Sequence, residues 1–120
     1  MSLIIKLLIA LIGVIHCYIL WLEMFAWTTR GPKAFNKPIE ELKNSKTLAA
    51  NQGLYNGFLA AGLFWTFFIT DERWRDNVAL FFLSCVAIAG LYGCFTVTRK
   101  ILYLQAVPAL LTIALILLNR

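Results

Sequence analysis

Four long apolar blocks, separated by short polar stretches, dominate the chain: 2–27, 48–70, 78–97 and 101–118. Each is close to the roughly 20 residues that cross a hydrocarbon core about 30 Å thick. Backbone amides cannot stay unpaired in lipid, so blocks of this length are expected to be helical. The pattern predicts an all-α chain: a polytopic membrane protein, a four-transmembrane-helix antiparallel bundle forming one domain over 1–120. The stretch 28–46 is the only substantial segment outside the membrane, punctuated by Gly31, Pro32 and Pro38. Within it, 38–45 is expected to form a short surface helix, with Ile39 and Leu42 turned toward the lipid. "TDERWRDN" reads as a tight polar turn with Trp74 at the headgroup level. His16 and Glu23 interrupt the first block, and no small-x-small cleavage site follows it, which sets it apart from a cleaved signal segment.

Composition agrees with a membrane location: 61% of residues are hydrophobic and 14% charged, against roughly half and a quarter in soluble domains. The net charge of +5 is read as topology. Of the lysines and arginines, seven fall in 28–46 and 99–100, and the other four are Lys6, Arg73, Arg75 and Arg120. This bias places loops 28–46 and 99–100 in the cytoplasm and both termini outside. There is no extended basic face, so nucleic acid is excluded as a partner. Cys17, Cys85 and Cys94 all lie within predicted spans and form no C-x-x-C, so they are read as small packing residues. Ala49, Gly53, Gly57 and Ala61 recur every four residues and would admit a close helix neighbour, as would Gly90 and Gly93. Pro108 removes a backbone donor and is expected to bend the fourth helix.

The candidate chemistry begins with Glu23. An ionisable side chain at the bilayer centre costs roughly 3 kcal/mol, so such a residue is expected to face a bundle interior or a wet cavity. Gly13, His16, Leu20, Glu23 and Trp27 follow steps of three and four residues and share one helix face. His16 falls near mid-membrane, and Glu23 about 10 Å further along, near the cytoplasmic end. The second block opens from that same side with Asn51, Gln52, Tyr55 and Asn56, the fourth with Gln105, and the third ends there with Cys94, Thr96 and Thr98. Read together, these residues predict an intramembrane polar pocket open to the cytoplasm. Glu23 and His16 are its candidate acid and base, able to move protons or isomerise a double bond. Asn51, Gln52, Tyr55, Asn56 and Gln105 are its candidate ligand-binding groups. Amides and a carboxylate that merely tie helices together are the competing structural account. One His, one Glu and Cys94 lack metal-ligand spacing, so no metal is expected, and no motif names a cofactor.

"HCYILWLEMFAW" and "LAANQGLYNGFLAAGL" carry a resemblance. The chain resembles the small bacterial four-helix membrane proteins known as domain of unknown function 1304, along essentially its whole length. The resemblance implies an integral inner-membrane protein without an assigned activity. It also implies hallmark residues at His16, Glu23, Asn51, Gln52, Tyr55 and Asn56.

The reading is therefore a multi-pass protein of the bacterial cytoplasmic membrane, surrounded by membrane lipid, whose pocket binds a small amphipathic or lipid-like molecule. Two alternatives belong to other classes. One is a small proton-coupled transporter, which would need Glu23 reachable from both sides. The other is a structural or accessory subunit that binds through the small-residue stripe. A homo-oligomer is compatible with each, because four short helices enclose a pocket poorly.

Overall fold

The computed structural model describes residues 1–120, and every regular element is helical. Six α-helices follow one another: α1 (Leu3–Phe25), α2 (Gly31–Phe35), α3 (Ile39–Lys43), α4 (Lys46–Trp65), α5 (Glu72–Thr96) and α6 (Val107–Leu118). A 3-10 turn, Thr66–Phe68, continues α4, and a π-helical turn, Leu102–Ala106, leads into α6. α1 and α5 are long and apolar enough to cross a membrane; Leu102–Leu118 is a shorter apolar stretch.

Several boundaries depart from the hydropathy blocks for local reasons. α1 ends at Phe25, so Trp27 leaves the helix face it was expected to share with Glu23. α5 begins at Glu72, because Asp71 accepts from the Trp74 amide at 2.9 Å and caps the first turn. Most of the expected polar turn "TDERWRDN" is thereby helix. Hydropathy cannot register this, since a polar helix start looks like a loop. The expected loop 28–37 contains α2. Pro32 lies in its first turn, where the missing N–H costs nothing. Asn36 closes that helix at φ 52°, a left-handed conformation that asparagine tolerates better than most residues.

The contacts divide the chain into two units, 1–14 with 59–120, and 15–58. In the first, Ile5, Ile9, Ile12, Leu63, Leu83 and Val86 form the centre of a fully buried apolar core. α5 packs against the segment 102–118 in antiparallel fashion. Gly93 meets Ile101, Gly90 meets Ala106, and Asn77 receives a hydrogen bond from Arg120. A Cβ placed on Gly90 would stand 2.6 Å from the Ala106 backbone nitrogen. Only glycine permits that approach. The facing strip carries the π-turn, in which Gln105 and Ala106 are buried. Pro108 follows two residues beyond the turn and has no N–H to give to a helical rung. Thr112 returns its hydroxyl to the Pro108 carbonyl at 2.7 Å.

In the second unit, Trp27 organises the connection between α1 and α4. Its indole N–H donates to the Leu42 carbonyl (3.0 Å) and the Ser45 hydroxyl (3.2 Å), and its ring packs against Phe35 at 5.2 Å between centroids. Gly31 sits against Leu42, which is buried. Lys37–Glu41 and Lys43–Glu40 are exposed ion pairs along this connection.

The outer surface inverts the usual rule. Leu3, Leu7, Leu11, Val14, Tyr18, Trp21 and Phe25 are all exposed, forming one apolar stripe along the full length of α1. Phe81, Ile88, Tyr92 and Phe95 on α5 are exposed as well. A helix at a water-facing surface carries polar residues at such positions.

Candidate functional site

Within residues 15–58, α1 and α4 meet through two glycines. A Cβ on Gly53 would stand 2.6 Å from Met24 Cγ, 3.0 Å from Glu23 Cβ and 3.1 Å from the Leu20 carbonyl. One on Gly57 would meet Leu20 Cδ1 at 2.5 Å. The two helices therefore run antiparallel at near-backbone contact, the geometry that small residues four apart allow.

Glu23 and Asn56 face each other across this seam. Glu23 is only 8% exposed. Asn56 Nδ2 donates to Glu23 Oε1 at 2.6 Å and to the Gln52 carbonyl of its own helix at 3.0 Å. Both partners are acceptors, which fixes the amide with its nitrogen toward the acid. The side chain is thus anchored at i−4 on α4 while its second N–H reaches the carboxylate. His16 lies two turns before Glu23, about 10 Å along the axis, and is fully buried.

The other expected members are placed differently. Asn51 is exposed, its amide donating to the Thr47 carbonyl at 3.5 Å. Gln52 is exposed and contributes its backbone oxygen rather than its side chain. Tyr55 is 65% exposed and packs edge-on to Phe58. The reason is rotational. Residues 52, 55 and 56 do share a side of α4, but the glycine stripe decides which side meets α1. At 100° per residue, Asn56 lies about 60° from Gly53, whereas Asn51 and Tyr55 lie about 160° away, on the opposite side. The stripe itself drifts, since four residues overshoot one turn by about 40°. Ala60 is buried and Ala61 exposed. Gln105 belongs to the first unit, where its side chain is buried in the π-turn against Gly90. Of the cysteines, Cys17 is exposed rather than packed, while Cys85 and Cys94 are half-buried.

Sequence reasoning missed the anchoring role of Trp27. The signal was present: a tryptophan at the helix end followed within twenty residues by Leu42 and Ser45.

These features define an all-helical protein with two helices able to span a membrane and an acid–amide contact at one helix crossing. The chain belongs to the family described as protein of unknown function (DUF1304), which matches residues 10–117. It is similar to Uncharacterized protein YpaA of Lactococcus lactis subsp. lactis (strain IL1403), with 35% identity over 99 residues, covering 80% of this chain and 82% of that one. No solved structure matches it.

Proposed function

We propose that the chain is a multi-pass protein of the bacterial cytoplasmic membrane, with α1, α4, α5 and the segment 102–118 as its four spans. In this reading Glu23 and Asn56 form the polar end of a site for a small amphipathic or lipid-like molecule. The lengths are adequate: α4, with 20 residues, extends about 30 Å at 1.5 Å per residue. The apolar stripe on α1 supports lipid contact on that face. Loops 28–46 and 99–100 would face the cytoplasm.

One observation carries the site: Asn56 donates to a nearly buried Glu23 from a neighbouring helix, at a seam otherwise made of Leu20, Met24 and two glycines. A glutamine would tie two helices together at less desolvation cost than a glutamate. An acid at that position favours a role in ligand recognition or proton transfer over simple adhesion. His16 and Glu23 are too far apart along α1 to act on the same atom, so they would serve as base and acid at two positions of one bound molecule. Shifting a double bond along such a molecule takes one proton given at one carbon and one taken at another.

The test is the small-molecule content of the protein purified gently from membranes, read by mass spectrometry for the parent and for Glu23→Gln. An amphipathic species enriched in the parent and depleted about fivefold or more in the variant is expected, the size of one lost polar contact of about 1 kcal/mol. Identical contents in two equally folded proteins would remove the ligand site and leave a structural acid.

A further inference from the structure

The start of α5 carries two adjoining hollows within the first unit. One is a cleft of about 450 Å³ lined by Glu72, Arg73, Asp76 and Arg120 together with Met1, Asn119 and the buried Ile5 and Ile116. The other is a groove of about 330 Å³ lined by Trp65, Trp74, Val78, Phe81 and Phe82. Asn77 also lines the groove, and it accepts a hydrogen bond from Arg120 of the cleft at 2.9 Å. The charged hollow and the aromatic one are therefore joined at a single residue pair.

The side-chain charges of the cleft are balanced, Arg73 and Arg120 against Glu72 and Asp76, and Met1 also lines it. Arg75, the remaining arginine of this turn, is engaged elsewhere: its guanidinium donates to the Ile69 and Thr70 carbonyls and closes the bend before α5. Arg73 and Arg120 are the guanidiniums that line the cleft, and Arg120, which gives one N–H to Asn77, keeps its other donors for a ligand. A guanidinium pair suits a phosphate, and neighbouring carboxylates suit an ammonium group that still has N–H donors. Exposed tryptophans such as Trp74 (64% exposed) settle at the boundary between headgroups and acyl chains.

We infer that the first turns of α5 hold one phospholipid with a primary-amine headgroup, its phosphate on Arg73 and Arg120, its ammonium on Glu72 and Asp76, and one acyl chain along the Trp65–Phe81 groove. A trimethylammonium headgroup has no N–H to give the carboxylates, and an anionic headgroup has no cation to place there. This inference rests on the membrane reading above, although not on the Glu23 site.

The chain has four tryptophans, so Trp21→Phe with Trp27→Phe leaves Trp65 and Trp74 as the reporters. The full chain is reconstituted in phosphatidylcholine vesicles containing a brominated-chain probe: phosphatidylethanolamine, phosphatidylcholine or phosphatidylglycerol. Flotation with the vesicles is read first. A folded chain that does not float overturns both the membrane reading and this one. For a chain that floats, half-maximal quenching by the ethanolamine probe is expected at about fivefold lower mole fraction than by the choline probe, the size of one headgroup contact. Arg73→Gln with Arg120→Gln should erase that preference while quenching by the choline probe persists. Glu72→Gln with Asp76→Asn should move the preference to the glycerol probe. Equal quenching by all three probes in the parent overturns the inference alone, and a parent preference for the glycerol probe overturns the amine assignment. Helical circular dichroism on each variant separates lost binding from lost folding.

Discussion

Two helix seams in this molecule use the same device and put different things in it. Where α5 meets 102–118, Gly90 faces the Ala106 backbone, and the facing strip is bent into a π-turn. Where α1 meets α4, Gly53 and Gly57 face mostly side chains, and between them Asn56 reaches a nearly buried acid. At the first seam the Thr112 hydroxyl is satisfied within its own helix, and the hydrogen bond from Arg120 to Asn77 lies at its exposed end. The second places its hydrogen bond between the helices beside the glycines themselves, on a nearly buried acid. Glycines bring backbones together in both, and what the neighbouring positions carry decides whether a buried polar pair forms between the helices.

The comparison breaks most sharply at the glycines. Gly90→Ala should be more damaging than Gly57→Ala, because its Cβ would meet a backbone nitrogen that cannot step aside. A loss of about 3 kcal/mol in reversible unfolding in detergent is expected, the upper range for overpacking. Gly57→Ala should cost only about 1 kcal/mol, because Leu20 Cδ1 is the far end of a flexible side chain. Equal costs at the two positions would mean that the seams differ less than described.

Removing half of the polar pair comes next. Asn56→Leu leaves the Glu23 carboxylate buried without its amide and should cost about 1–3 kcal/mol. Glu23→Gln keeps the shape and an acceptor oxygen for the same amide, so its stability should stay within about 1 kcal/mol of the parent. Trp27→Phe removes one donor shared by Leu42 and Ser45 and should cost about 1 kcal/mol, with faster proteolysis between 28 and 46 as the sensitive readout. Smallest of all, Glu41→Ala should change stability by less than about 0.5 kcal/mol, because its pair with Lys37 is exposed.

The sequence reveals the parts of this structure that depend on composition and little of what depends on rotation. Helix was legible everywhere that apolar residues ran long, and Glu23 was legible as a residue with a reason to be turned inward. Its amide neighbour was legible only as one of several, because periodicity groups Gln52, Tyr55 and Asn56 without saying which edge of that group meets α1. The glycines settle it: they set the contact face, and Asn56 alone lies near enough to their line. The early start of α5 was hidden by its polar first turn, although Asp71 is an ordinary cap. α2 was hidden by Pro32, which stops a helix from inside but starts one at its first turn. The π-turn had a partial signal in Pro108, but its place depends on Gly90 across the seam, which no local pattern contains.

The direct test of the account is a double-mutant cycle on Glu23→Ala and Asn56→Ala, read by reversible unfolding in detergent or bicelles. Two side chains in hydrogen-bond contact should couple by about 1 kcal/mol or more, so that the double variant loses less than the sum of the singles. Additive losses, equal to that sum within about 0.3 kcal/mol, would show that the acid and the amide do not meet and that the seam between α1 and α4 is packing alone.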